Sequence, residues 1–263
     1  MNEPVLEIRN LVAGYDDVEV VKGISFSLFE GEILGIVGPN GSGKSTLLRA
    51  MTQVLPVRSG DVFLRGGALS NYRQDELARS MAVVPQAALL PEGFSALEVT
   101  LMGRTPYLRL LQSEGPQDLT IARRSMLQTD TLGLAEREIN ELSGGERQRV
   151  IVARALTQQS PILLMDEPTV HLDIAHQIGL LDLVEQLAQN QSLSVIAVIH
   201  DLTLAAQYCD RLILLDHGSV HSSGPVEDVI RPETIRTVYD VDVRVIPHPD
   251  TGRPVVLPVR QTR

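Results

Sequence analysis

The chain has 263 residues, 43% hydrophobic and 21% charged, a balance that fits one large globular domain or a core with an inserted subdomain and excludes disordered and collagen-like classes. Its net charge of -10 argues against a general nucleic-acid binder, because neutralising phosphates takes clustered Lys and Arg. The single cysteine, Cys209, excludes a disulfide framework within the chain, and the acidic start Met-Asn-Glu-Pro predicts no signal peptide.

Cys209 reads as a small buried apolar residue. Arg123-Arg124 and the Arg147/Arg149 pair read as solvated helix faces. The longest apolar runs, such as Val195–Ile199 and Ile162–Met165, are far short of the ~20 residues of a membrane helix.

In chain order, strands come first. Leu6, Ile8 and Leu11 stand between polar residues, and Ile24, Phe26 and Leu28 alternate with Ser25 and Ser27. Glu30-Gly31-Glu32 is a turn. Ile33–Val37 is a continuous apolar run ending at Gly38, the pattern of a parallel strand buried on both faces. Lys44–Met51 reads as a helix, Ser59–Leu64 as a strand, and Met81–Val84 as a strand closed by Pro85. From about Pro91 to Leu156 the β-branched runs vanish, and Leu119, Ala122, Met126 and Leu127 fall at helical spacing, so a helical insert is expected. Strand signals return at Ile162–Met165, Val195–Ile199 and Leu212–Leu215, with a turn at Asp216-His217-Gly218. Between them Ile178–Gln189 predicts a helix with Leu180, Leu181, Val184 and Leu187 on one face. Val241–Val259 predicts a small strand pair. Buried strands alternating with helices imply an α/β domain with a largely parallel sheet.

Gly38-Pro39-Asn40-Gly41-Ser42-Gly43-Lys44-Ser45-Thr46 fits the phosphate-loop pattern, and it stands between a buried strand and a helix, the context that pattern needs. Glycines let successive backbone amides converge on phosphate oxygens, and the helix N-terminus adds partial positive charge. Lys44 reaches the β- and γ-phosphates, and Ser45 supplies an oxygen to Mg2+. ATP is therefore the expected ligand.

Ile162–Met165 runs into Asp166-Glu167-Pro168, which places two carboxylates at the carboxyl end of a buried strand, where open α/β sheets bind ligands. Asp166 would hold Mg2+, directly or through water. Glu167 would act as general base or orient the attacking water. Read alone, the two acids are equally a solvated strand end; the upstream phosphate loop tips the reading to function.

Leu142-Ser143-Gly144-Gly145-Glu146 precedes a helix to Leu156, and Ser with Glu three residues later is also an ordinary capping box. With these motifs in this order, the sequence resembles the ATP-binding cassette (ABC) family over almost its whole length. The resemblance implies a P-loop NTPase core with a largely parallel sheet and an antiparallel β subdomain, residues 1–88 and 157–263, and a helical signature subdomain, 89–156. It implies that Tyr15 stacks on adenine, a strand-edge aromatic being the lesser alternative. It implies that Gln86 approaches Mg2+ and the attacking water, and that His200 contacts the γ-phosphate. Ser143, Gly144, Gly145 and Glu146 would meet the ATP of a second copy, and Asp173, in Val170-His171-Leu172-Asp173, would reach across the same dimer. His171 departs from the Ser or Thr and Ala usual there. His171 and His176, five apart with no cysteine nearby, do not read as a metal site; His217, His221 and His248 read as turn and surface residues.

The resemblance also implies a head-to-tail homodimer with each ATP between Gly38–Thr46 of one copy and Ser143–Glu146 of the other. Three classes of work remain open for it: import through separate permease subunits, export, and a soluble role such as iron–sulfur cluster assembly. The segments Gly93–Thr100, Met102–Tyr107, Asp173–Gln177 and His200-Asp201-Leu202 resemble importers of ferric siderophores, haem or cobalamin, as does the short chain. An importer ATPase would sit on the cytoplasmic face of the membrane, served indirectly by a solute-binding protein. Gln86–Tyr107 would then meet the permease, or else be ordinary loop and helix packing.

Overall fold

The computed structural model describes residues 3–259 apart from Ala87, Leu89, Leu110 and His171. The chain divides into two compact units. One is built from the residues up to Asn71 together with those from Ser194, and the other is Tyr72–Leu193.

In the first unit, β1 (Leu6–Tyr15) pairs antiparallel with β2 (Val18–Leu28). Its other edge pairs with β4 (Val57–Leu64), which continues into the short β5 (Gly67–Ala68). The alternating apolar positions of this sheet, Leu6, Ile8, Ile24, Phe26 and Leu28, are buried on one face. Between β2 and β4 the chain forms β3 (Ile33–Val37) and α1 (Lys44–Met51). All five residues of β3 are buried, so the strand is covered on both faces, and it pairs in parallel on both edges. Its partners are β8 (Ser194–Val198) on one side and β9 (Arg211–Asp216) on the other. Then β10 (Ser219–Pro225) closes the outer edge of β9 antiparallel.

After β8 comes α7 (Leu202–Tyr208), and after β10 come α8 (Val226–Val229) and α9 (Pro232–Tyr239). The chain finishes with the antiparallel pair β11 (Val243–Pro247) and β12 (Pro254–Pro258), as the sequence predicts. Arg253 fastens that pair: its Nη1 donates to the carbonyls of Ala206, Gln207 and Cys209, the acceptors that the end of α7 leaves over. Cys209 is fully buried, and burial pushes its thiol up to about 12.

In the second unit, β6 (Met81–Val84) and β7 (Ile162–Asp166) run parallel in register Met81↔Ile162 to Val84↔Met165. Here α2 (Gln74–Ser80) precedes β6, and α6 (Ile174–Gln191) follows β7 with Leu180, Leu181, Val184 and Leu187 buried. The expected helices are α3 (Ala96–Leu101), α4 (Pro116–Gln128) and α5 (Gly144–Thr157), joined around Val99, Met126, Ile139, Leu142 and Val150.

Some side chains differ from expectation. Leu127 is 66% exposed, because Ala122 and Met126 define the buried stripe of α4 and the next residue turns about 100° away from it. Arg147 and Arg149 are half-buried rather than solvated, each with a buried Nε, their stems lying along the unit while their tips reach the Leu142 carbonyl and Asp130. Arg104 and Tyr107, in the segment read as a partner surface, turn inward. Arg104 pairs with Asp118 at 2.8 Å and donates to the Thr157 carbonyl, its guanidinium stacks 3.9 Å over the Tyr107 ring, and the Tyr107 hydroxyl donates to the Gln158 carbonyl. Phe94 remains exposed there. His221 lies in β10 rather than a turn, still exposed. His171 lies outside the described residues. Among those described, no helix is long and apolar enough to cross a membrane.

Candidate functional site

The phosphate loop leaves the carboxyl end of β3. Gly38 has φ 152, and a Cβ there would stand 2.4 Å from the Leu215 carbonyl oxygen and 2.7 Å from Ser42 Oγ, so only glycine fits. Gly43, at φ 102, caps α1 with no side chain, which leaves the helix start to backbone amides. The Gly218 amide donates to the Ser42 carbonyl and holds the loop from outside.

Lys44 is only 5% exposed, and its Nζ donates to the carbonyls of Gly38 (2.8 Å) and Pro39 (3.0 Å). The loop is thus curled round its own ammonium, a fixed positive charge inside a ring of backbone. Ser42 Oγ is buried with no hydrogen-bond partner in the structure. A buried cation, an orphaned hydroxyl and a glycine-lined helix start fit a bound polyphosphate such as that of ATP.

Tyr15 ends β1, and its hydroxyl accepts from Arg49 Nη1 at 2.9 Å, which ties the ring to α1. The ring is 41% exposed and keeps a surface for stacking. His200 follows β8. Since Ile36 stands opposite Val198 in the parallel register, Gly38 and His200 leave the carboxyl ends of neighbouring strands at the same level. His200 is exposed, and Asp201 caps α7 by accepting from the amides of Thr203 and Leu204.

One contact at this loop carried no sequence signal. The Tyr239 hydroxyl, at the end of α9, meets the backbone amide of Gly38, while burial pushes its phenol up to about 12. No motif or periodicity marks it.

The second unit gathers another set. Val84 stands opposite Met165, so Gln86 and Glu167 leave β6 and β7 side by side. Gln86 Nε2 donates to Glu167 Oε2 at 2.6 Å. Glu167 is 8% exposed and holds φ 50, a left-handed backbone that costs a non-glycine residue about 1–3 kcal/mol. Asp166 ends β7. Gln86 and Asp166 offer side-chain oxygens, the hard donor type that Mg2+ takes. Among the described residues no group of three His, Cys, Asp or Glu could hold a metal.

Ser143 caps α5. The Ser143 amide and hydroxyl both donate to Glu146 Oε2, at 2.8 and 2.7 Å, and the Glu146 amide returns a bond to Ser143 Oγ at 3.3 Å. These bonds hold the Glu146 carboxyl below the usual carboxylate range. Glu146 is therefore spent on closing the turn, while Ser143 and Gly144 face solvent at the helix start. Asp173 caps α6, accepting from the His176 amide at 2.9 Å and pairing with His176 Nδ1 at 2.7 Å, which keeps its carboxyl low. Of the expected residues, Tyr15, the phosphate loop and His200 belong to the first unit; Gln86, Asp166, Glu167, Ser143–Glu146 and Asp173 belong to the second.

A family model described as ABC transporter matches residues 21–170. The cobalamin import ATP-binding protein BtuD of Halobacterium salinarum is 39% identical over 97% of this chain and 63% of its own length. The hemin import ATP-binding protein HmuV of Streptomyces coelicolor is 42% identical over 92% of this chain and 85% of its own. The chain thus spans less than two thirds of some curated relatives and most of others. A solved metal-chelate type ABC transporter in an inward-facing conformation is 26% identical, with a TM-score of 0.86, covering 98% of this chain and 99% of that one.

Proposed function

The chain belongs to the ABC transporter family, and from that premise we propose that it is the ATP-hydrolysing subunit of an importer for ferric-siderophore, haem or cobalamin-type solutes. The observation that carries the hydrolytic reading is the Gln86–Glu167 pair. A buried carboxylate, fixed by a short hydrogen bond and a strained backbone at a strand end, suits a group that takes a proton from water.

Gly38–Thr46 would hold the phosphates, with Lys44 as the charge that matches them, and Tyr15 would take the adenine. Ser45, Asp166 and Gln86 would hold Mg2+, which supplies neutralisation of the phosphate charge when bound. His200 would meet the γ-phosphate. Ser143 and Gly144 are exposed at a helix start that Gly145 continues, and Asp173 is an exposed carboxylate; both suit the ATP-filled face of a second copy. Hydrolysis would then require two chains, and its outcome would be a closing and opening motion.

The relatives named for cobalamin and hemin import support import over export or a soluble role. They also support permease subunits as partners, a solute-binding protein acting through the permease, and a place at the cytoplasmic face of the membrane. The test is to purify the tagged chain from solubilised membranes and identify what comes with it. A many-spanning permease whose loss abolishes ATP-dependent uptake of an iron chelate, haem or cobalamin supports the reading. Recovery with cluster-assembly proteins alone refutes it.

A further inference from the structure

One imidazole touches both segments proposed to cross the dimer. On one edge, His176 Nδ1 lies 2.7 Å from Asp173 Oδ1, the oxygen that also accepts the His176 amide. For Nδ1 to donate there it must carry a proton. On the other edge the ring lies against the backbone of Gly145. A Cβ at that glycine would stand 2.7 Å from His176 Cδ2 and 3.0 Å from Nε2. Any side chain at position 145 would force the ring out of place and break its bond to Asp173.

From this juxtaposition we infer that His176 is a positioning residue for turnover, which locks the signature turn and the Asp173 carboxylate into one rigid element; the inference rests on the proposed ATP-sandwich dimer. The local structure favours such a lock. His176 occupies the third position of α6, where the usual capping residue would be a Glu reaching back to the cap amide. Here the side chain reaches back to the cap carboxylate instead, and so its far edge is free to bear on α5. The loop between is braced separately, since Gln177 Nε2 donates to the carbonyls of Thr169 and Leu172. An imidazole is planar and has few rotamers, so its contact at Gly145 fixes its bond at Asp173. Two elements that each contact the partner's nucleotide then move together, and binding at one is felt at the other.

The test separates the two edges of the ring. His176→Ala removes both. His176→Asn keeps a donor near the place of Nδ1 and loses the far edge, while His176→Phe keeps the ring and loses the donor. Full-length chains are compared for ATP turnover, for ATP-driven dimerisation in the Glu167→Gln background, for nucleotide affinity of the dilute monomer, and for melting temperature. For His176→Ala the expectation is an about tenfold loss in kcat and in dimer affinity, in the range usual for coupling between sites. Monomer affinity stays unchanged, and the melting temperature stays within about 2 °C, as for a partly exposed substitution. Asn and Phe each recover part of the loss. Parent-like turnover and dimerisation in His176→Ala, or a loss matched by weaker monomer binding, overturns the inference alone. A parent chain that neither dimerises with ATP nor hydrolyses it overturns the sandwich and this inference together.

Discussion

Gln86 Nε2 donates to Glu167 Oε2 across 2.6 Å, between residues 81 apart in the chain. The parallel register of β6 and β7 creates the contact, and the φ of 50 at Glu167 aims it. The bond fixes the orientation of the Glu167 carboxylate. Gln86→Ala should therefore lower kcat about tenfold or more, the scale of a misplaced reacting group, with ATP affinity kept. Steady-state kinetics with a nucleotide-binding titration check this; an unchanged kcat contradicts it.

Lys44 lends its charge to the interior of the phosphate loop. Removing a charged donor costs about 1.5–3 kcal/mol, or about ten- to hundredfold in binding. Lys44→Ala should lose ATP affinity by that factor while still folding, measured by calorimetric titration and circular dichroism. ATP affinity equal to the parent's would refute the role.

Arg104 and Asp118 form a buried pair, 7% and 14% exposed, that joins the start of α4 to the end of α5. Arg104→Ala strands the carboxylate and should cost about 3 kcal/mol at neutral pH, the lower end for a broken buried pair. The Gly115 amide and Arg104 hold the Asp118 carboxyl below its ordinary 3.8, so its folded-state pKa is depressed. The stabilisation is present above the ordinary value and is lost as pH falls through the folded one. The gap between parent and variant should narrow below about pH 4 in urea titrations. A gap independent of pH would contradict the pairing.

Cys209 lies under β3: a Cβ on Gly35 would stand 2.7 Å from its Sγ. With its thiol at about 12, almost no thiolate exists at pH 8. A thiol reagent should leave the native chain unmodified and react fully after denaturation. Rapid reaction of the native protein would contradict the packing.

Much of this was legible in the sequence because it is local. Ile33–Val37 is apolar throughout, and a strand covered on both faces buries every residue. Gly38, the first glycine of the phosphate loop, stands where a side chain would strike Leu215 or Ser42. Ser143 and Glu146 form the capping box that the spacing announces, and that box serves the helix whether or not the turn also meets a nucleotide. What stayed hidden joins distant residues. Tyr239 reaches Gly38 across 201 positions, Arg104 reaches Thr157 across 53, and His176 reaches Gly145 across 31. No period links such pairs, and the Arg and Tyr of Met102–Tyr107 read as part of a partner surface, with ordinary packing the lesser alternative, until packing turns them inward.

The central claim is that Glu167 activates water for hydrolysis of an ATP held between two copies of the chain. The direct measurement is turnover and oligomeric state of Glu167→Gln with ATP and Mg2+. The account predicts an ATP-stabilised dimer and a kcat lower by about 10²–10⁴-fold, the range of general-base catalysis. A variant that hydrolyses at the parent rate, or stays monomeric with ATP bound, would contradict it.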